Sequence, residues 1–481
     1  MNTVGHDDEG ICVPANHSAT HQLAKFAASV KYIRIPEEVV TKVVWHLVDT
    51  LGCAVAGAEL PIAEMSRVAA KAIGANGRCP VFGTEQLYSP AGAAFANASI
   101  ANALDFDDGT EVNGKGLGHP GATLVPAALS GLSRFEVSGD LLIRALTAGY
   151  EVNNRLIVAL QPSPERFEQV YGVSQHQAIG AAIVYGVMAG LDVKQLHNAI
   201  GLAATLTNVP SLHKYNWQHR PIVSLKDGVA PAAMAGVLAV EYTLAGLTGS
   251  VDVLDGATGY WRMMGSDQFD FETLVRGLGV EWRTMESSFK LYPACRWLAP
   301  ALEAFESLRD LNRLDAAQID TIHVHTFSKI ANDLSESCPV NETDAQFSLP
   351  YLIAALAMRL PAGPEWFKSR SLRDPQLLAI ARKVSIHVDP AMDAAMKGSF
   401  RRPSASVSIE MMNGARHKLH VPAPQGGRLR PVSYDAVCTK ALSNFYVAKL
   451  PGSKIISLAK RLYTQTSIAT FERLLQSAEL A

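Results

Sequence analysis

The chain has 481 residues, of which 48% are hydrophobic and 18% charged. That is a well-cored globular composition and excludes a largely disordered chain. The length exceeds what one hydrophobic core sustains, so two domains are expected. Forty-three basic residues against forty-five acidic ones leave a formal charge of −2, which excludes the basic footprint of a nucleic-acid binder and a polybasic membrane patch.

Residues 1–20 are polar and irregular and read as a loose N-terminal tail. From residue 21 helical signals dominate. Pro36 suits a first helical position, and Val39, Val40, Val43, Val44, Leu47, Val48 and Leu51 recur at helix spacing. Ser89 and Pro90 form a cap and first position for an Ala-rich helix running to about Leu104. Ser138 caps a further helix, with Leu142, Ala145, Leu146 and Val152 on one side. The stretches 174–191, 195–206 and 228–245 are rich in Ala and Gly, as in buried helices whose axes approach closely.

The texture changes near residue 288. Ile319–Phe327 and Val384–Val388 alternate as strands do. Val407–Met411 and His417–Val421 flank Asn413-Gly414, a hairpin signal because this pair tolerates positive φ at both turn positions. A helical stretch carrying Phe347, Tyr351, Ile353, Ala354 and Leu356 lies between the strands. After Gly426, Gly427 and Pro431 the helical pattern returns. The expected fold is therefore mainly α: a large helical domain (21–287 and 431–481) interrupted by a smaller α+β lid domain (288–430). Such a build offers an interdomain cleft for a small ligand.

The six cysteines (12, 53, 79, 295, 338 and 438) show no CxxC pair and no zinc spacing. Asp7, Asp8 and Glu9 stand where a signal peptide needs a basic region, and the longest apolar run, Ala181–Leu191, is short of a membrane span. Free thiols in a reducing compartment are the expectation: cytoplasmic, or mitochondrial if the source is eukaryotic.

Residues 102–108 (NALDFDD) end an apolar helix with three carboxylates, Asp105, Asp107 and Asp108, in four positions. Crowding and burial shift pKa values toward proton-transfer chemistry; capping or pairing with arginine would use the same residues structurally. A terpene-synthase-like magnesium motif fails, because the second motif counted from Asn332 has Val at position 340; no metal is expected. Gly118-His119-Pro120-Gly121 places His119 at a helix start, where a neutral imidazole can serve as acid or base and an anion is favoured nearby. A turn histidine with a structural bond would read identically. In 292–297 (YPACRW), Arg296 could clamp a carboxylate and Cys295 could move a proton, although buried cysteines are more often inert. Lys214, Trp217, His219, Arg220 and Lys226, with Tyr171 and His176, could line a polar pocket.

These motifs together resemble the MmgE/PrpD family, which includes 2-methylcitrate dehydratase, cis-aconitate decarboxylase and iminodisuccinate epimerase. The resemblance runs from about residue 22 onward. It rests on 48–52 (VDTLG), 94–97 (AFAN), 104–108 (LDFDD), His119-Pro120, 149–152 (GYEV), 292–296 (YPACR) and 346–351 (QFSLPY). It implies a homodimer with a cofactor-free site between a helical domain and a lid, in which Asp105 and His119 belong to the active site. Tyr171, with His176 close by, stands where the family has a histidine. Lys214, His219 and Arg220 are the substitutes for a family lysine, and Cys295 replaces a histidine of the decarboxylase. The reaction implied is cofactor-independent acid/base dehydration of a 2-methylcitrate-like hydroxy acid. Decarboxylation of an aconitate-like acid and epimerisation of a dicarboxylate are the alternatives, and a non-catalytic binding protein is the reading outside enzymes.

Overall fold

The computed structural model describes residues 18–112, 115–167, 169–170, 174, 176–207, 220–397, 401–464 and 468. Three helices of the first hydrophobic cluster begin where side chains satisfy free N–H groups of the first turn. Ser89 accepts from Gly92 N (3.1 Å) to start Pro90–Asn102, and Ser138 accepts from Leu141 N (3.1 Å) to start Gly139–Ala159. Asp192 and Gln195 form a reciprocal capping box before Val193–Leu206. The Ala/Gly-rich stretches form Gln177–Met188 and Val229–Leu244. They pack closely because their contact faces are small: a Cβ on Gly236 would meet Ala181 Cβ at 2.5 Å, and one on Gly149 would meet Val184 Cγ2 at 2.2 Å.

Helix Glu37–Gly57 has the length and apolarity of a membrane span, but most of it is buried inside the protein, its own His46, Asp49 and Thr50 included. Tyr434–Val447 packs against it, so Val437, Ala441 and Phe445 from the C-terminal return join the first hydrophobic cluster.

A second cluster lies under a four-stranded sheet, ordered Val384–Val388, Ile319–Thr326, Ala405–Met411, Arg416–Val421. The first pair is parallel and the others antiparallel. Helices Ala299–Leu311 and Leu349–Ala357 contribute to the same cluster. The hairpin differs in detail from the sequence expectation. Met411 N bonds Ala415 O (2.9 Å), which leaves a three-residue loop, and only Gly414 takes positive φ (85°). Asn413 instead accepts from Ala415 N (3.0 Å) through its side chain.

The feature that positions the site is a small sheet the sequence did not announce. Gly109–Val112 pairs on one side with Lys115–Leu117 and on the other with Ser287–Ser288. Strands of four, three and two residues are too short to show a period. This sheet folds the chain back after the aspartates so that His119 returns to them, and it delivers Lys290 from a segment more than 150 residues away.

Candidate active site

Asp105 follows the Pro90–Asn102 helix in the left-handed region, at φ 50°, which aspartate tolerates better than most residues. This turn redirects the chain so that successive carboxylates face different partners. Asp108 is held by the fold: it accepts from Gly121 N (2.7 Å) and Tyr150 Oη (2.8 Å), and His46 Nδ1 lies 2.8 Å from its Oδ2. The backbone at Phe106 is tied by Lys440, which donates to Phe106 O, lies 4.0 Å over the Phe106 ring and pairs with Asp49 at 2.8 Å.

Gly121 is required by this packing. A Cβ there would meet Thr50 Oγ1 at 2.4 Å and Asp108 Oδ1 at 2.8 Å. The neighbours that come close are therefore Thr50 and Asp108, both groups of the protein itself. Gly121→Ala is expected to destabilise the fold by about 1–3 kcal/mol, the usual cost of overpacking, read as a lower midpoint in urea unfolding.

The other two aspartates converge on His119. Asp107 Oδ2 lies 3.0 Å from His119 Nδ1 and its Oδ1 accepts from Asn102 Nδ2 at 3.1 Å. On the far side of the ring, Nε2 lies 3.5 Å from Asp227 Oδ2 and 3.8 Å from Asp105 Oδ1. Gln177 grips the His119 backbone, accepting from its N–H (2.8 Å) and donating to its carbonyl (2.9 Å). Two buried ammonium groups complete the cluster. Lys226 Nζ and Lys290 Nζ each lie 3.0 Å from Asp105 Oδ1, and Lys226 also bonds Asp227. Lys290 donates to Asp105 O as well (2.9 Å).

Burial alone would raise the Asp105 pKa, but Lys226 and Lys290 outweigh it and hold the carboxyl well below its usual range. Asp107 is likewise held low: burial opposes ionisation and the His119 ring overcomes it. For His119, burial opposes the charged form while Asp107 and Asp227 favour it, and the net direction is upward. The cluster thus favours the charged form of the His119 ring, with two lysine side chains set among the carboxylates.

Asp105, Asp107 and His119 present ligand atoms within 4.8 Å of one another, which invites a metal reading. The donor set fits it poorly. One oxygen of Asp105, Oδ1, already takes two ammonium groups, so much of the cluster's negative charge is matched by lysine.

Several sequence candidates fall elsewhere. Tyr171, Lys214 and His219 lie outside the described residues. Arg220 is an internal tie, bonding Asp344 and the carbonyls of Asp333 (2.7 Å) and Phe347 (2.9 Å). Arg296 pairs with buried Glu111 (2.6 Å) and donates to the carbonyls of Phe289 and Gln425. Both guanidiniums are thus engaged by the protein itself. Cys295 stays a neutral thiol, pushed up to about 12 by burial and then by the charge of Asp105. His176 is buried, and burial holds it down to about 3.

His176 and His46, which burial lowers to about 4, make the fold acid-sensitive in a predictable direction. Their folded pKa values lie below the ordinary 6.5, so the stability they contribute is full above pH 6.5 and lost as pH falls toward 4 and 3. At pH 5, 1.5 units below 6.5, each accounts for a loss of about 2 kcal/mol. His119, shifted upward, works in the opposite sense. Comparing wild type with His176→Gln by urea unfolding at pH 7.5 and pH 5 should show about 2 kcal/mol less acid destabilisation in the variant.

Sequence reasoning gave Lys226 only a general polar role and did not single out Asp227, Lys290 or Gln177. Lys226 and Asp227 immediately precede Gly228, which takes positive φ (69°) at a helix start; charged residues at such a turn are a usable signal. Lys290 has no local signal, because only the pairing of Ser287–Ser288 with the strand after the aspartates brings it in. Beside the cluster lies a small recess, lined by Asn102, Lys226 and Asp227 at a polar end and by Ile62, Leu225 and Thr343 elsewhere.

Residues 21–272 match the MmgE/PrpD N-terminal domain, and residues 292–450 match the MmgE/PrpD C-terminal domain. The chain belongs to the MmgE/PrpD family. The resemblance read from its motifs is thereby established. The second match extends to residue 450 and so includes Tyr434–Val447, which packs in the first hydrophobic cluster. Among relatives, the chain is 24% identical over 398 residues to cis-aconitate decarboxylase of Aspergillus terreus, covering 77% of this chain and 78% of the relative. It is 24% identical over 362 residues to the cis-aconitate decarboxylase-like protein oryM of Aspergillus oryzae, covering 70% and 73%. Human cis-aconitate decarboxylase is 22% identical over 440 residues, covering 89% and 88%. As a family member, this MmgE/PrpD protein presents its carboxylate–imidazole–lysine cluster at the end of the Pro90–Asn102 helix.

Proposed function

We propose that this protein is a cofactor-independent lyase acting on a small polycarboxylate, with His119 as the proton-transferring group. The supporting observation is the placement of one imidazole, oriented through Nδ1 by Asp107, beside two buried ammonium groups. Lys226 and Lys290 are the natural counter-charges for a substrate carboxylate and for the enolate that develops when a proton leaves the adjacent carbon. Exchange of Asp105 for a substrate carboxylate at these lysines would keep the charge of the cluster satisfied.

Within that reading we favour loss of water from a 2-methylcitrate-like hydroxy acid. Dehydration needs both an acid and a base. His119 in its charged form can protonate the departing hydroxide, and Asp227, 3.5 Å from Nε2, can take the carbon-bound proton. One observation favours decarboxylation instead: the relatives above are cis-aconitate decarboxylases. That reaction needs only the anion pocket and an acid to protonate the carbanion, and His119 would supply the acid. The test is incubation of the purified protein with alkylcitrates and with cis-aconitate, followed by product mass. Loss of water from an alkylcitrate supports the first reading, release of carbon dioxide from cis-aconitate the second, and no turnover of any member of a broad acid panel overturns both.

A further inference from the structure

A second chemistry-bearing cluster lies on the outer face of the four-stranded sheet, separate from the residues described above. In Ile319–Thr326 the side chains of Ile322, Val324 and Thr326 are buried, so strand alternation turns His323 and His325 outward together. The neighbouring parallel strand sets His387 in register with His325. Across this pair His323 Nδ1 and His387 Nε2 approach to 3.1 Å, and the His325 ring stacks on His387 with centroids 4.9 Å apart. His387 is exposed and His323 and His325 half-buried, so the face is open to solvent.

We propose that His323 and His387 form a binding site for a late first-row divalent ion such as zinc or copper. Two imidazole nitrogens bound tetrahedrally to one zinc at about 2.0–2.1 Å stand about 3.3 Å apart, close to the 3.1 Å separation already present. The strands fix both rings beforehand, and stacking on His325 restrains His387, so little side-chain freedom remains to be lost. A hydrogen bond between two neutral rings at this distance requires one proton between the nitrogens. Coordination takes both lone pairs, so the ring carrying that proton moves it to its other nitrogen, and no net proton is released from neutral rings. Water fills the remaining positions. Sequence spacing could not reveal this pair, because its members lie 64 residues apart.

The experiment is titration of the full chain at pH 7.5 with zinc chloride by calorimetry, and with copper(II) by electron paramagnetic resonance. One saturable equivalent is expected, with nitrogen hyperfine structure from two imidazoles and tighter binding of copper than zinc. Loss of outer-shell partners alone weakens metal sites by about 10–100-fold, so loss of a direct ligand in His323→Gln or His387→Gln should weaken zinc by at least about tenfold. Both substitutions are on an open surface and leave the core intact. Absence of saturable binding, oxygen-dominated copper spectra, or undiminished affinity in the double variant, which would move the ion to Asp105, Asp107 and His119, overturns the proposal.

Discussion

His119→Asn is expected to lower kcat by about 10²–10⁴-fold, the range general acid–base groups supply, with the fold preserved. Asparagine can still donate to Asp107 and its backbone can still be gripped by Gln177, so orientation survives while the proton is lost. The wild-type rate should carry the matching signature. Because Asp107 and Asp227 offset burial and shift the imidazole upward, a reaction using the charged ring stays active above the ordinary imidazole range. It then declines as pH rises through the shifted value. A pH–rate profile on whichever acid is turned over checks this: a limb that rises with pH across the same window would show that the neutral ring is the active form. Retention of wild-type kcat by His119→Asn would remove the imidazole from the chemistry altogether.

The second large effect falls on Lys226, which is 4% exposed. Lys226→Met removes a positive charge from between Asp105 and Asp227. Breaking a buried pair on one side costs about 3–5 kcal/mol because the abandoned charge stays buried. Asp105 retains Lys290, so the burden lands on Asp227, and adding Asp227→Asn should restore part of the loss. A double-mutant cycle by urea unfolding is expected to give a coupling of about 0.5–3 kcal/mol between the two positions. If Lys226→Met costs less than about 1 kcal/mol, comparable to an exposed pair, the cluster is better solvated than its burial implies.

Much of the scaffold was legible because its signals are local. Ser89-Pro90 and Ser138 start helices where caps belong, and the alternation in Ile319–Thr326 and Val384–Val388 survives as paired strands. The aspartate trio and His119 could be paired from their motifs, since only a tight two-strand return separates them. The individual roles were not legible. Asp108 looks like its neighbours in sequence, yet Gly121, Tyr150 and His46 make it a structural group. Arg296 and Arg220 look like anion clamps until Glu111 and Asp344 are seen to engage them. Lys290 enters through a two-residue strand that no period can reveal. What sequence hides here is partner choice, which is decided by chain segments 13 to 185 residues apart.

The tie between Lys440 and the Phe106 carbonyl has a consequence for how the protein is made. The turn carrying Asp105 and Asp107 is synthesised long before the cation that fastens its backbone and neutralises Asp49 beneath it, since Lys440 follows Phe106 by 334 residues. A nascent polypeptide can therefore collapse its early helices long before the docking of Tyr434–Val447 locks this corner.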